Sequence, residues 1–189
     1  MRKKVIFLLL LFKGITNPLG AVLLFISFPL LSLSSSAQNL KEDIHTIYAL
    51  ERQINVEEDV RKSAFFAEKY LEAVDGFIQK YPSEKDMGAK FLFHASEICV
   101  GLKKPVDAIS RMRQLIQRFP KSKEAERCHF FIPFTFDEHL NQKDSAYIYY
   151  NEYLLKYPDG AFAEQVKYLR TNAKQDDLEL IKSFENKKN

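Results

Sequence analysis

The side chains best suited to chemistry in this 189-residue chain are four histidines and two cysteines. His94 and Glu97 stand three residues apart, so on a helix they would share one face. Carboxylate and imidazole groups at that spacing bind metals in some helical bundles. Because one such pair is common by chance, we predict a polar surface pair here, with no metal site and no cofactor.

Other catalytic signatures are absent from the sequence. It contains no nucleophile elbow, no glycine-rich phosphate loop and no zinc-protease helix motif, and its six glycines stand singly. An enzymatic activity therefore has little support in the residues, and we predict that the protein is not an enzyme.

The first 37 residues predict a secretory signal peptide. A basic end, Met1 to Lys4, precedes two apolar stretches, and Ser34 to Ala37 supply the small residues found before a cleavage site. Cleavage after Ala37 would leave residues 38–189 as an exported chain, in the periplasm or associated with the cell envelope. The alternative is an uncleaved anchor. Each apolar stretch is shorter than the ~20 residues that span a bilayer, so we expect no membrane span after cleavage.

The formal net charge of +3 comes mostly from this N-terminal segment. Residues 1–37 contain four basic side chains and no acidic one, whereas the whole chain has 28 basic and 25 acidic residues. The predicted mature chain is thus nearly neutral. Since affinity for nucleic acid depends on basic side chains that neutralise phosphates, we predict no nucleic-acid partner.

A six-residue pattern occurs three times in the predicted mature chain. Each copy ends in a basic residue, an aromatic residue and a proline, and the three prolines, Pro82, Pro120 and Pro158, lie 38 residues apart. Because proline cannot continue a helix, each copy predicts a helix end. The aromatic residue before each proline could then pack into the next unit. A constant period of this length indicates a repeat protein.

Superposing the three copies predicts two helices in each unit. Small residues recur at Ala108 and Ala146, where two helices would cross closely. The predicted helices are 40–53, 56–80, 84–101, 105–118, 122–140, 144–156, 160–173 and 176–187. The candidate N-caps that follow the prolines are Ser83, Ser122 and Asp159, and Asn55 with Glu58 would open the second helix.

This unit resembles the tetratricopeptide repeat family, whose helix pairs have small residues at their crossing and a proline after the second helix. Ala108, Met112 and Pro120 match the family's small, large and proline positions, as do the residues 38 places later. The usual unit has ~34 residues. The longer unit resembles the envelope branch, which includes BamD-like lipoproteins of outer-membrane barrel assembly and periplasmic partners of the Tol-Pal system. The resemblance implies an all-α, right-handed α-solenoid of about four helix-turn-helix pairs.

The predicted domain organisation follows from the signal peptide and the repeat. Residues 1–37 are the signal peptide, and residues 38–189 form one TPR-like domain. Within that domain we predict an atypical N-terminal pair at 40–82, repeats at 83–120 and 121–158, and C-terminal helices at 159–187.

The resemblance implies a function without catalysis. We expect an exported scaffold that binds a peptide or protein segment on its concave surface, because such solenoids present an extended surface of this kind. The alternative is an architectural subunit of a bacterial cell-envelope assembly that binds no free peptide. In both cases we expect the partner to be a protein of the cell envelope.

In the family that the chain resembles, the first helix of each unit lines the concave surface. On that spacing the predicted binding residues are Lys90, Phe93, Glu97, Phe131, Thr135 and Glu138. The residues expected to face the second helix instead are Leu92, Ser96, Cys99, Phe130 and Phe134. Phe93 and Phe131 are one period apart, so they would line up along the groove; the alternative is that both belong to the core.

The repeat register indicates whether the two cysteines lie close enough to form a disulfide. Cys128 corresponds to position 90 in the preceding unit, nine residues before Cys99. That offset along adjacent helices is roughly 13 Å, beyond the ~7 Å Cα separation that a disulfide allows. We therefore predict two unpaired thiols, with Cys99 buried. A disulfide between two chains through Cys128 is the alternative.

Overall fold

The computed structural model of the protein describes residues 18–173, with side chains from residue 37 onward. These residues form helices joined by turns, and no strand occurs between residues 18 and 173. The helices are α1 Pro18–Val56, α2 Val60–Lys80, α3 Lys85–Gly101, α4 Pro105–Arg118, α5 Lys123–Glu138 and α6 Lys143–Lys156, and helical residues 163–173 form α7. The all-α prediction is confirmed. The helix predicted at 176–187 lies outside the described residues.

The predicted helix boundaries agree closely with the structure from α3 to α6, where each end lies within two residues of its predicted position. The first helix differs, because α1 extends beyond the predicted range 40–53 at both ends. It runs through the bond between Ala37 and Gln38, and signal cleavage at that bond stays a prediction. In the described part of the chain, no helix has both the length and the apolar character to cross a membrane.

The chain divides into two compact units, Met1–His45 and Thr46–Asn189. The first unit contains most of α1. The second contains the end of α1 and all later helices, and every side-chain contact described below lies inside it.

Helix starts depend on local caps, and only one of the predicted caps is found. The Oγ of Ser122 accepts a hydrogen bond from the N–H of Ala125 at 3.2 Å, which caps α5 as predicted. The prediction for α2 is wrong, because α1 continues to Val56 and Asp59 is the cap instead. Its carboxylate accepts from the backbone N–H groups of Arg61 and Lys62. Glu84, not Ser83, occupies the cap position of α3, and Asp159 lies in a turn ahead of α7.

Consecutive helices pack on one another from α2 to α6, and α3 also packs on α5. The two small residues predicted at helix crossings, Ala108 and Ala146, are both fully buried. Met112 and Tyr150, four residues after each alanine, are buried beside them. This position of the repeat therefore lies in the core of both units, as the sequence predicts.

Long polar side chains connect alternate helices at a constant sequence separation. Arg111 of α4 pairs with Asp75 of α2, and Lys104, the N-cap residue of α4, pairs with Glu68 of α2. Each partner is 36 residues away, and Arg113 donates to the hydroxyl of Tyr149 in α6 across the same 36 residues. Because residues two helical turns apart in α2 pair with residues two turns apart in α4, these two helices run parallel.

The turn between α6 and α7 is fixed by one hydroxyl and one carboxylate. The hydroxyl of Tyr153 donates to Oε1 of Glu126 at 3.0 Å and accepts from the N–H of Phe162 at 3.1 Å. The same Oε1 accepts from the N–H of Ala161 at 2.9 Å. Gly160 lies against these groups, since a Cβ there would be 2.6 Å from both oxygens. The turn thus requires both polar side chains and a glycine.

Candidate binding surface

Two phenylalanines one period apart meet at the contact between α3 and α5. The rings of Phe93 and Phe131 pack edge to face with their centroids 5.7 Å apart. Arg127, one helical turn before Phe131, places its guanidinium carbon 3.8 Å from the centroid of the Phe93 ring. This is the geometry of a cation–π interaction. The structure therefore brings the two equivalent aromatic residues into contact.

A chain of alternating charges crosses the same region. Nη2 of Arg127 lies 3.8 Å from Oε1 of Glu97, whose Oε2 lies 3.3 Å from Nδ1 of His94. Nε2 of His94 lies 3.5 Å from Oε1 of Glu51. These side chains come from α5, α3 and α1. All four are 32% to 44% exposed, so solvent weakens the ion pairs.

The carboxylates change the acidity of His94. Its hydrogen bond with Glu97 raises the pKa of the imidazole, and the negative charges of Glu51 and Glu97 act in the same direction. Partial burial opposes them, because it disfavours the charged form. The net result is a His94 pKa above its ordinary value.

The six predicted binding residues differ in exposure. Lys90, Glu97 and Glu138 are exposed and Phe131 is partly exposed, whereas Phe93 and Thr135 are buried at 3% and 1% exposure. The hydroxyl of Thr135 donates to the carbonyl of Phe131 at 2.7 Å, as threonines inside helices often do. The burial of Phe93 and Thr135 corrects the expectation that both side chains line an open surface. A binding role for the other four residues stays a prediction.

The inward-facing set behaves as predicted. Leu92, Ser96, Cys99 and Phe130 are buried, and Phe134 is partly buried. Ser96 satisfies its hydroxyl by donating to the carbonyl of Phe93 at 2.6 Å. The family spacing thus identified buried positions of α3 and α5, but it also placed the buried Phe93 and Thr135 on the open side.

Sequence reasoning missed Arg127 and Glu51. Arg127 stands four residues before Phe131, so the rule that such residues share a helix face could have found it. Glu51 lies in a different helix from His94, 43 residues away, and no local spacing predicts their contact.

A second carboxylate–imidazole pair, Glu126 and His129, was also missed. The structure directs these side chains to different partners: Glu126 binds Tyr153 and the turn before α7, and His129 binds Lys156. Among the residues that the structure describes, no group of three or more histidine, cysteine or acidic side chains could bind a metal ion.

Open grooves lie between alternate helices of the described chain. The larger, of about 390 Å³, is lined mainly by α2 and α4, with Cys99 of α3 contributing to its wall. The Lys104–Glu68 and Arg111–Asp75 pairs belong to it. A smaller groove, of about 230 Å³, lies between α4 and α6 beside His129. In the larger groove, Glu68, Asp75, Lys104 and Arg111 are thus already paired across the helices.

The two cysteines are free and buried, which confirms that they do not pair within the chain. Burial raises the pKa of both thiols, and Arg111 partly offsets that effect at Cys99. Because Cys128 is fully buried, it has no surface from which to form a disulfide between two chains.

No protein-family model matches the chain. No curated protein matches it in sequence either. The resemblance to tetratricopeptide repeats therefore depends on the repeat pattern itself.

Proposed function

We propose that the protein is an exported, non-catalytic scaffold that binds a peptide or protein segment on the α3–α5 surface. This surface consists of Lys90, Glu97, Arg127, Phe131 and Glu138. The observation that carries the proposal is the contact between Phe93 and Phe131, one period apart, with Arg127 stacked on the Phe93 ring. Aromatic and arginine side chains are the residue types that contribute most to protein interfaces.

The proposal includes the architecture that the resemblance implies, a right-handed solenoid of helix pairs in a TPR-like arrangement. Two observations support it. Equivalent positions of adjacent units touch at Phe93 and Phe131, and the second helices of successive units are tied by pairs with a constant 36-residue separation. Stacked repeats contact their neighbours in the same way at each step. In such an array α3 and α5 lie side by side and offer one continuous surface.

The architectural alternative has an observation of its own. On α6, Ile148 and Leu155 are 57% and 84% exposed. They are two turns apart and share a face of that helix. An apolar pair of this kind, on a helix that does not form the α3–α5 surface, favours attachment of the protein to an assembly by another side.

Export is part of the same proposal. Removal of residues 1–37 would start the mature protein at Gln38 in the periplasm or envelope. Intact mass of the protein recovered from envelope fractions tests this, since cleavage removes a defined mass. A full-length chain embedded in the membrane would contradict it.

Affinity capture from envelope extracts, with three variants of the tagged protein, distinguishes the two functions. The first is Lys90→Ala with Arg127→Ala on the α3–α5 surface. The second is Ile148→Asp with Leu155→Asp on α6. A matched control, Arg61→Ala with Lys62→Ala, removes the same two residue types from exposed positions of α2.

We expect the α3–α5 variant to lose partners that the α6 variant and the control retain, with all variants folded at the temperature of the capture. Loss confined to the α6 variant would support the architectural alternative. Retention of every partner by the α3–α5 variant would contradict the proposed binding surface.

A further inference from the structure

His94 lies between two carboxylates that belong to different helices. Nδ1 faces Glu97 of its own helix α3 at 3.3 Å, and Nε2 faces Glu51 of α1 at 3.5 Å. From α2, the ring of Tyr70 packs edge to face on the imidazole at 5.3 Å. From α5, Arg127 reaches Glu97 at 3.8 Å. The titratable and charged groups around His94 are thus two acids, one neutral tyrosine and one arginine that acts through Glu97.

This arrangement is matched only to the charged imidazole. A protonated histidine has two N–H donors, one for each carboxylate, whereas a neutral histidine has one donor and one acceptor. On deprotonation, one ring nitrogen would therefore present a lone pair to a carboxylate. The contact with Glu97 is the shorter of the two and is a hydrogen bond within α3. The loss would therefore fall mainly on the longer contact with Glu51 at 3.5 Å, which connects α1 to α3.

We propose that His94 is a proton-dependent clasp that holds residues 46–56 of α1 against α3. At pH values where the imidazole is charged, the Glu51–His94 pair closes this contact. When the imidazole is neutral the segment is held by apolar packing, in which Ile47 is buried and the Tyr48 ring contacts Phe91 at 5.6 Å. The segment then opens more often but does not dissociate. This inference is independent of the proposed binding function.

The direction of the pH effect follows from the His94 pKa. The hydrogen bond with Glu97 raises that pKa in the folded protein above its unfolded value. The stabilisation is therefore fully present below the unfolded pKa and is lost as the pH rises through the folded pKa. Burial acts in the opposite direction and reduces the size of the effect.

Amide hydrogen exchange of residues 46–56 in the full chain, compared at about pH 5.5 and about pH 8 and corrected for intrinsic exchange rates, tests the clasp. We expect protection to fall at the higher pH, by up to about tenfold for each unit by which Glu51 raises the pKa, because the Glu97 contact within α3 persists when residues 46–56 open. His94→Gln should abolish this pH dependence. The matched control is His139→Gln, which replaces an exposed histidine in the turn after α5. This variant should keep the pH dependence of the wild type.

A second measurement keeps the test independent of folding defects. In an NMR titration of the wild-type protein and Glu51→Gln, the variant should lower the His94 pKa, because one of the two carboxylates is removed. Protection that does not change with pH in the wild type would overturn the proposal. So would an unchanged His94 pKa in Glu51→Gln, or the same pH dependence in His94→Gln as in the wild type.

Discussion

Phe119 lies directly against Gly88 at the opposite end of the same 38-residue unit. A Cβ at position 88 would be 2.7 Å from Cζ of Phe119 and 3.2 Å from Cδ1 of Ile78. Phe119 thus packs back onto the start of its own unit, a contact that the sequence did not suggest. The reason is the helix pair itself, because the turn after α3 returns α4 so that its end lies beside the start of α3.

Alanine substitutions at Gly88 and Gly76 test this contact through their effects on stability. Gly88→Ala should destabilise the protein by about 1–3 kcal/mol, because the added methyl overpacks against an aromatic ring. Gly76→Ala is the matched control, because it lies inside α2 and a Cβ added there would have no neighbouring atom within 4 Å. The Gly76→Ala substitution should stabilise the protein by about 0.5–1 kcal/mol, because alanine has a higher helix propensity than glycine. Urea unfolding of both variants checks this, and a Gly88→Ala protein as stable as Gly76→Ala would contradict the packing described.

The helix-crossing alanines should tolerate no large side chain. Ala108→Phe and Ala146→Phe are each expected to lower stability by about 1–3 kcal/mol or more, since both sites are fully buried. Val106→Phe, at a 66% exposed site in the first turn of α4, should be close to neutral. Thermal melts decide between these outcomes. Equal melting temperatures for all three variants would mean that the alanines do not lie at tight crossings.

The hydroxyls of Tyr153 and Tyr149 allow the loss of a buried hydrogen bond to be compared with the loss of an exposed one. Tyr153→Phe removes a donor to Glu126 and an acceptor for the N–H of Phe162, beneath a fully buried ring. We expect a loss of about 1–3 kcal/mol. Tyr149→Phe removes an exposed bond from Arg113 and should change stability by less than about 0.5 kcal/mol. Chemical denaturation measures both, and similar losses would mean that the Tyr153 hydroxyl does not fix the turn before α7.

His129 should make the protein less stable in acid. Burial lowers its pKa to about 4, and the positive charge of Lys156, 2.8 Å from Nε2, acts in the same direction. Because the unfolded value is near 6.5, the unfolded state binds the proton first as the pH falls. Stability should drop between about pH 6.5 and pH 4, by at most about 1.4 kcal/mol per pH unit for this one group.

The measurement for His129 is unfolding free energy against pH for the wild type and His129→Gln. The variant should lose less stability across that interval, while both proteins should share the contribution of His94, which has the opposite sign. Parallel curves for the two proteins would show that His129 does not titrate with a lowered pKa.

The local pattern of the sequence determined a large part of this protein. The 38-residue period, the helix ends at Arg118 and Lys156 and the buried positions of Ala108 and Ala146 all follow from proline, small and apolar residues within one unit. Such features depend on a few neighbouring residues and on the helical periodicity. They can therefore be predicted without knowing how the helices pack.

The exposed side of α5 was decided only by the tertiary structure. Ile132, Pro133, Thr135 and Asp137 are all buried, so this helix is covered on more than one face. It packs against α3, α4 and α6 together. Asp137 is accommodated by an ion pair with Lys143 at 2.6 Å. Helical spacing gives the angle between residues around one helix, but it does not give the number of neighbouring helices, so Thr135 could not be assigned correctly.

The charged part of the site was likewise decided by packing. Arg127 over Phe93 and Glu51 beside His94 join residues 34 and 43 positions apart on separate helices. Whether such side chains meet depends on the rotation and crossing angle of each helix, and these are set by core packing rather than by any local spacing. The sequence therefore determined the helix ends from α3 to α6 and the buried crossing positions of the repeat. The tertiary structure determined how much of each helix is covered and which polar side chains meet between helices.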